Sequence, residues 1–129
     1  MKHGTPLQSR QSRTNSFRVA ASGLVHTARS QPNFQLQIVA GLIVLAAAVL
    51  FGFSRMEWLV LIITLSLVLV AELLNTVVEI VVDLAVKERL IPEAKLAKDV
   101  SAAAVLLTSF FALVTGVILF ASHLWSLAG

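Results

Sequence analysis

The sequence predicts an all-α membrane protein in which an amphipathic surface helix precedes three transmembrane helices. Three observations carry this. Of the 129 residues, 57% are hydrophobic and 13% charged, with a mean hydropathy of +0.88, which is more apolar surface than a soluble fold of this size buries. Charge is absent from residues 31–54, 58–71 and 100–129, and each stretch supplies all or most of a bilayer crossing of about 20 residues. Finally, the basic residues are distributed unevenly about those stretches, as expected for a chain with a fixed orientation in a membrane.

The elements follow in chain order. Residues 1–15, rich in Ser, Gln and Arg, read as a flexible basic tail. They run into mixed sequence rather than a hydrophobic core with a small-residue cleavage site, so no secretory signal is expected. Residues 16–30 place Phe17, Ala21, Leu24 and Ala28 on one helical face with Arg18 and Arg29 along its edge, the pattern of an interfacial amphipathic helix. An ordinary juxtamembrane segment with basic anchors accounts for the same pattern. The first span has its apolar core at residues 38–53 and needs Phe34 and Leu36 at the interface to reach across. The uncharged part of the second is too short alone, so its helix must continue through Glu72, Asn75 and Glu79 to near Val86. The third runs from Val100 through Phe120, with His123 and Trp125 suited to the far interface. His3, His26 and His123 all read as interfacial or solvated.

Lys2, Arg10, Arg13, Arg18 and Arg29 precede the first span without an acidic residue, whereas the link to the second carries only Arg55 and Glu57. The positive-inside rule then assigns the N-terminus to the cytoplasm, together with the second link and its Lys87, Arg89, Lys95 and Lys98. The C-terminus is expected outside.

Polar chemistry is concentrated in residues 71–88. Glu72, Asn75, Glu79 and Asp83 are spaced by three, four and four residues and share one helical stripe among apolar neighbours. A carboxylate at a membrane helix centre costs roughly 2.5–3.5 kcal/mol on insertion scales, so an aligned set needs partners or a watery cleft. Bound Mg²⁺ is one efficient partner. Asp83, taken alone, is equally well explained as the polar end of the helix. A second cluster, Lys98 and Asp99, stands just before the small residues Ser101, Ala102, Ala103 and Ala104, which permit close helix approach. Lys98 can contact phosphates, while Asp99 can serve as a cap or dipole partner instead. A hairpin of the second and third spans would bring both clusters to one level.

Several chemistries are excluded. With no cysteine present, thiolate zinc sites and cysteine nucleophiles are ruled out. The six glycines are scattered and form no G-x-x-x-x-G-K-S/T loop, which removes the P-loop kinases. No Ser-His-Asp arrangement is evident. A small ion-coupled transporter or channel subunit also carries membrane carboxylates, but proton relays usually sit near the bilayer midplane, and this stripe continues to the membrane edge. A purely structural subunit would leave the aligned carboxylates without a role.

Glu72-Leu-Leu-Asn75-Thr-Val-Val-Glu79, then Asp83, then Ala97-Lys98-Asp99 followed by Ser-Ala-Ala-Ala-Val-Leu-Leu, closely resembles the signature of the prokaryotic diacylglycerol kinase and undecaprenol kinase family. The resemblance covers about residues 16–120 and includes Asn15-Ser-Phe-Arg18, Gly23 and Gln31-Pro-Asn-Phe34. The E-x-x-N-S/T-x-x-E-x-x-x-D pattern in a membrane context is highly specific. It implies a small kinase of the bacterial cytoplasmic membrane, with residues 31–129 as its three-helix kinase domain. The family is homotrimeric, with sites shared between neighbouring subunits, and uses ATP with Mg²⁺ to phosphorylate a lipid alcohol, diacylglycerol or undecaprenol. No nucleic-acid partner is expected. By the same resemblance, Glu72 is the general base and Asn75 orders the site. Glu79 is a metal ligand that also serves the nucleotide, Lys98 and Asp99 are its nucleotide-contacting pair, and Glu88 contacts ATP near the loop. Gln31 stands where many members have a metal-binding Glu, and Glu88-Arg89-Leu90 where members often have Glu-Tyr-His. An Arg of the N-terminal segment, Arg13 or Arg18, corresponds to one that reaches the phosphates. The segments around Gln31 and Glu79 look more like the undecaprenol kinase branch.

Overall fold

The computed structural model describes residues 6–129, with side chains from residue 13 onward. Every regular element among them is helical: α1 (Pro6–Ser30), α2 (Pro32–Phe51), α3 (Arg55–Val86) and α4 (Pro92–Ala128). The last three are long and apolar enough to cross a membrane, and the protein is a multi-pass membrane protein. The chain divides into two compact units, Met1–Pro32 and Asn33–Gly129.

In the first unit, α1 begins at Pro6, so helix extends into the segment assigned from composition to a flexible tail. Residues 1–5 of that tail lie outside the described residues. Along α1, Phe17 and Leu24 are exposed, whereas Thr27 is buried and donates to the Gly23 carbonyl at 2.9 Å.

In the second unit, α2 starts on a proline at its first turn, where the missing N–H costs nothing. Its 20 residues span about 30 Å, the thickness of a hydrocarbon core. It stops at Gly52, whose φ of +69° is the left-handed conformation that glycine adopts without a Cβ clash. The Gly52 N–H bonds to the Val49 carbonyl and the Phe53 N–H to the Ala48 carbonyl, both at 3.1 Å. This is a Schellman closure, and its usual apolar contact is present, since Phe53 and Ala48 are buried in one cluster with Leu61.

Ser54 then caps α3. Its hydroxyl accepts the Glu57 N–H at 3.2 Å while Glu57 Oε1 accepts the Ser54 N–H at 3.4 Å, a reciprocal capping box. At 32 residues, α3 is about 48 Å long and outreaches the hydrocarbon by several turns. It ends at Lys87, a non-glycine residue at φ 54° and ψ −123°. After the turn at residues 87–91, Pro92 opens α4 with Glu93 in the first turn, favourable at a positive helix end.

The α3–α4 pair is an antiparallel hairpin in constant register. Near the turn, Asp83 faces Lys98, and at the opposite end Glu57 faces His123. The two contacts lie roughly 38 Å apart along the helices. Against this hairpin α2 leans mainly through its C-terminal half, where Val44, Leu45, Phe51, Trp58, Leu65, Leu119 and Phe120 surround the buried cluster. Nearer its start, Gln37 Nε2 donates to Ser109 Oγ at 3.5 Å. Between the three helices runs an apolar cleft of about 670 Å³, lined among others by Gly41, Leu65, Val68 and Gly116. Outside, Leu42, Ile43, Leu50, Ile63, Leu106 and Phe111 are exposed, as expected of faces that meet lipid or other protein rather than water.

Candidate active site

The stripe forms because residues at spacings of three and four stack on one face of an uninterrupted helix. Glu72, Asn75, Glu79 and Asp83 all lie within α3. Glu72 is only 5% exposed and is the one buried charged residue among those described. Its main-chain carbonyl accepts the Thr76 hydroxyl at 3.0 Å. One turn on, Asn75 Nδ2 donates to Glu79 Oε1 at 3.5 Å, and Asn75 Oδ1 is buried with no hydrogen-bond partner. A buried acceptor left open beside a carboxylate is a place where a ligand donor or cation has something to bind. Glu72 and Glu79 are within electrostatic reach of each other, so positive charge arriving between them is favoured.

The α4 cluster is placed differently from the sequence reading. Helix begins at Pro92 and not near Val100, so Lys98 and Asp99 sit inside α4. Asp99 is therefore no N-cap; that position belongs to Ile91, which makes no side-chain cap. Asp99 instead accepts from Lys95 at 2.7 Å, an i,i+4 pair. Lys98, adjacent in sequence but rotated about 100° around the helix, turns across to α3 and pairs with Asp83 at 2.5 Å. It also lies within electrostatic reach of Glu79. The hairpin thus brings Lys98 to the foot of the stripe, while the register sets the small residues Ser101 and Ala102 at the level of Glu79 and leaves room there.

Not every expected residue joins this group. Glu88 lies exposed in the α3–α4 turn and makes no ion pair among the described residues. Gln31 stands at the break between α1 and α2, its backbone N–H bonded to the Thr27 carbonyl at 2.9 Å, and belongs to the N-terminal unit. No group of three or more His, Cys, Asp or Glu arranged for metal binding occurs among the described residues. The apolar cleft stops short of the site, and neither Glu72, Asn75, Glu79 nor Lys98 lines it.

One polar contact escaped the sequence reading. His123, read as interfacial or solvated, lies 2.5 Å from Glu57 Oε2 through Nε2 and stacks on Phe53 with ring centroids 5.0 Å apart. Only 22% of its side chain is exposed. No local pattern announces a pair separated by 66 positions.

Known proteins are similar in sequence. A match to the prokaryotic diacylglycerol kinase family covers residues 18–120. Among relatives, a diacylglycerol kinase from Synechocystis is 41% identical over 101 residues, which cover 78% of this chain and 58% of that protein. An undecaprenol kinase from Bacillus subtilis is 35% identical over 105 residues, 81% of this chain and 85% of its own length. The chain therefore spans less than two thirds of the first relative and most of the second. On the extent of these matches, the chain belongs to the prokaryotic diacylglycerol kinase family.

Proposed function

We propose that this protein phosphorylates the hydroxyl of a membrane lipid alcohol with ATP. The observation that carries this reading is the stripe of Glu72, Asn75 and Glu79 on α3, which ends at Asp83 where Lys98 of α4 pairs with it, in a chain whose relatives are named diacylglycerol kinase and undecaprenol kinase. Phosphoryl transfer asks for positioning and charge neutralisation more than covalent chemistry, and these side chains supply both.

Glu72, buried and next to the apolar part of α3, takes the proton from the lipid hydroxyl. The freed oxygen bonds to the γ-phosphorus as the bond from phosphorus to the β,γ-bridging oxygen breaks, and ADP leaves. Lys98 neutralises charge on the phosphates, and Asp99 orients the nucleotide. Asn75 keeps Glu79 oriented through their hydrogen bond. Glu79 and the open Asn75 Oδ1 fit Mg²⁺, which when bound supplies further neutralisation of the phosphates. Glu88, exposed in the turn, is a further nucleotide contact in this reading.

Purified protein, incubated with labelled ATP, Mg²⁺ and either diacylglycerol or undecaprenol in one detergent, tests the proposal. Label in the lipid fraction is the expected result. Absence of label with both lipids sinks the kinase reading and returns the transporter alternative, which no relative favours.

The site faces the cytoplasm, where ATP is, in agreement with the basic residues around α1 and the α3–α4 turn. Because the chain lacks cysteine, single cysteines at Ser54 and Arg89 report orientation. A membrane-impermeant reagent applied outside labels the first and not the second, and the reverse pattern overturns the assignment. The exposed apolar residues of α1 rest on the membrane surface. The partly exposed stripe needs cover that one subunit does not give, and a homotrimer provides it; a fully active monomer in detergent contradicts this.

A further inference from the structure

We propose that Asp83 is a positioning residue for the transfer: it holds the Lys98 ammonium against the polar face of α3, so that the nucleotide phosphates meet a cation already in place. The proposal rests on the kinase reading and extends it to a residue whose spacing alone left it indistinguishable from a polar helix end.

Geometry makes the case. Lys98 has one flexible four-carbon stem and, two turns into α4, three directions open to it: back along α4, outward to water, or across to α3. The carboxylate nearest in sequence, Asp99, cannot hold it, because adjacent residues diverge by about 100° on a helix, and Asp99 is taken by Lys95. Asp83 closes the third route at 2.5 Å. It stands one turn beyond Glu79 on the same stripe, so the ammonium it fixes is set at that end of the stripe.

The pair is not needed to hold the hairpin together. Its side chains are 40% and 63% exposed, and exposed ion pairs contribute little to stability. The two helices are already joined by the short turn at residues 87–91 and closed at the far end by Glu57 and His123. What Asp83 does determine is where a mobile cation waits. Ordering it beforehand removes part of the entropic cost that binding otherwise carries.

Two readouts separate positioning from a structural role: the dissociation constant of MgATP by equilibrium binding, and kcat at saturating lipid. Asp83→Asn is expected to weaken MgATP binding by about fivefold, the upper range for an exposed pair, with kcat reduced less and thermal stability unchanged. Asp83→Glu recovers most of the affinity. In a Lys98→Ala background, Asp83→Asn adds nothing, because the cation it positions is gone. The charge swap Asp83→Lys with Lys98→Asp restores the pair but not MgATP affinity. Tighter MgATP binding in Asp83→Asn would show that Asp83 merely repels phosphate. An undiminished effect in the Lys98→Ala background would show that it acts elsewhere, and either result overturns the proposal. If wild-type protein binds MgATP and labels lipid while Asp83→Asn is indistinguishable from it, this inference fails and the kinase reading stands. A wild-type protein inactive on lipid fails the kinase reading and takes this inference with it.

Discussion

The two ends of the α3–α4 hairpin use polar residues in opposite ways. At the α2–α3 end Glu57 and His123 are both engaged: Glu57 accepts the Ser54 N–H with one oxygen and meets His123 with the other, and His123 lies flat on Phe53. At the α3–α4 end Lys98 is held only by an exposed pair, and on the stripe that runs there from mid-helix Glu72 is buried without an ion pair and Asn75 Oδ1 has no partner among the described residues. The turn there passes through Lys87 in a left-handed conformation that side chains seldom adopt. A helix pair can thus be closed at one end and keep unmet hydrogen-bonding capacity at the other. That asymmetry is what singles out the α3 stripe and Lys98 as the candidate site.

The comparison is broken most severely at Glu72. Glu72→Gln preserves size and much of the hydrogen bonding but removes the base, and turnover is expected to fall by about 10²- to 10⁴-fold. MgATP affinity should stay near wild type, since binding depends on Glu79, Lys98 and the metal. Near-normal turnover from an oligomer of normal size would show that Glu72 is not the base. A smaller effect is expected at Glu79, where Gln weakens metal and nucleotide binding together by at least about 10-fold. Titration with Mg²⁺ should partly rescue activity, and a loss insensitive to Mg²⁺ argues against a metal role. The smallest change in activity is expected at the closed end. Glu57→Gln and His123→Ala each lower Tm by a few degrees in detergent, because a half-buried partner is stranded. Both leave MgATP affinity as it was; a variant that loses binding without losing stability would erase the division between the ends.

Much of this was legible in the sequence. The three spans follow from uncharged runs, and the extension of the second to Val86 follows from the shortness of its apolar part. The stripe is simple helical arithmetic. The true start of α4 was not legible, because hydropathy reports contact with lipid and not helicity: Glu93, Lys95, Lys98 and Asp99 are polar yet helical. In the structure α1 starts at Pro6, ahead of the amphipathic segment that begins at Ser16. Partners across the hairpin were hidden for a different reason. Which residue Lys98 or His123 meets depends on register, and register is fixed by a five-residue turn and a capped corner that spacing along one helix does not reveal.

The capped corner at Gly52 and Ser54 has a consequence for depth. It gives α3 a fixed origin at one face of the bilayer, from which Glu72 stands at roughly 25 Å and Asp83 at roughly 42 Å along the axis. The helix is in this sense a measuring rod, and the position of the acid stripe relative to the lipid headgroups is set by residue count. One residue inserted between Glu57 and Glu72 would raise the stripe by about 1.5 Å and swing it by about 100°, carrying it off the face on which Asp83 meets Lys98. Changing which residues fill that interval leaves the depth of the stripe as it is, whereas changing how many there are moves it.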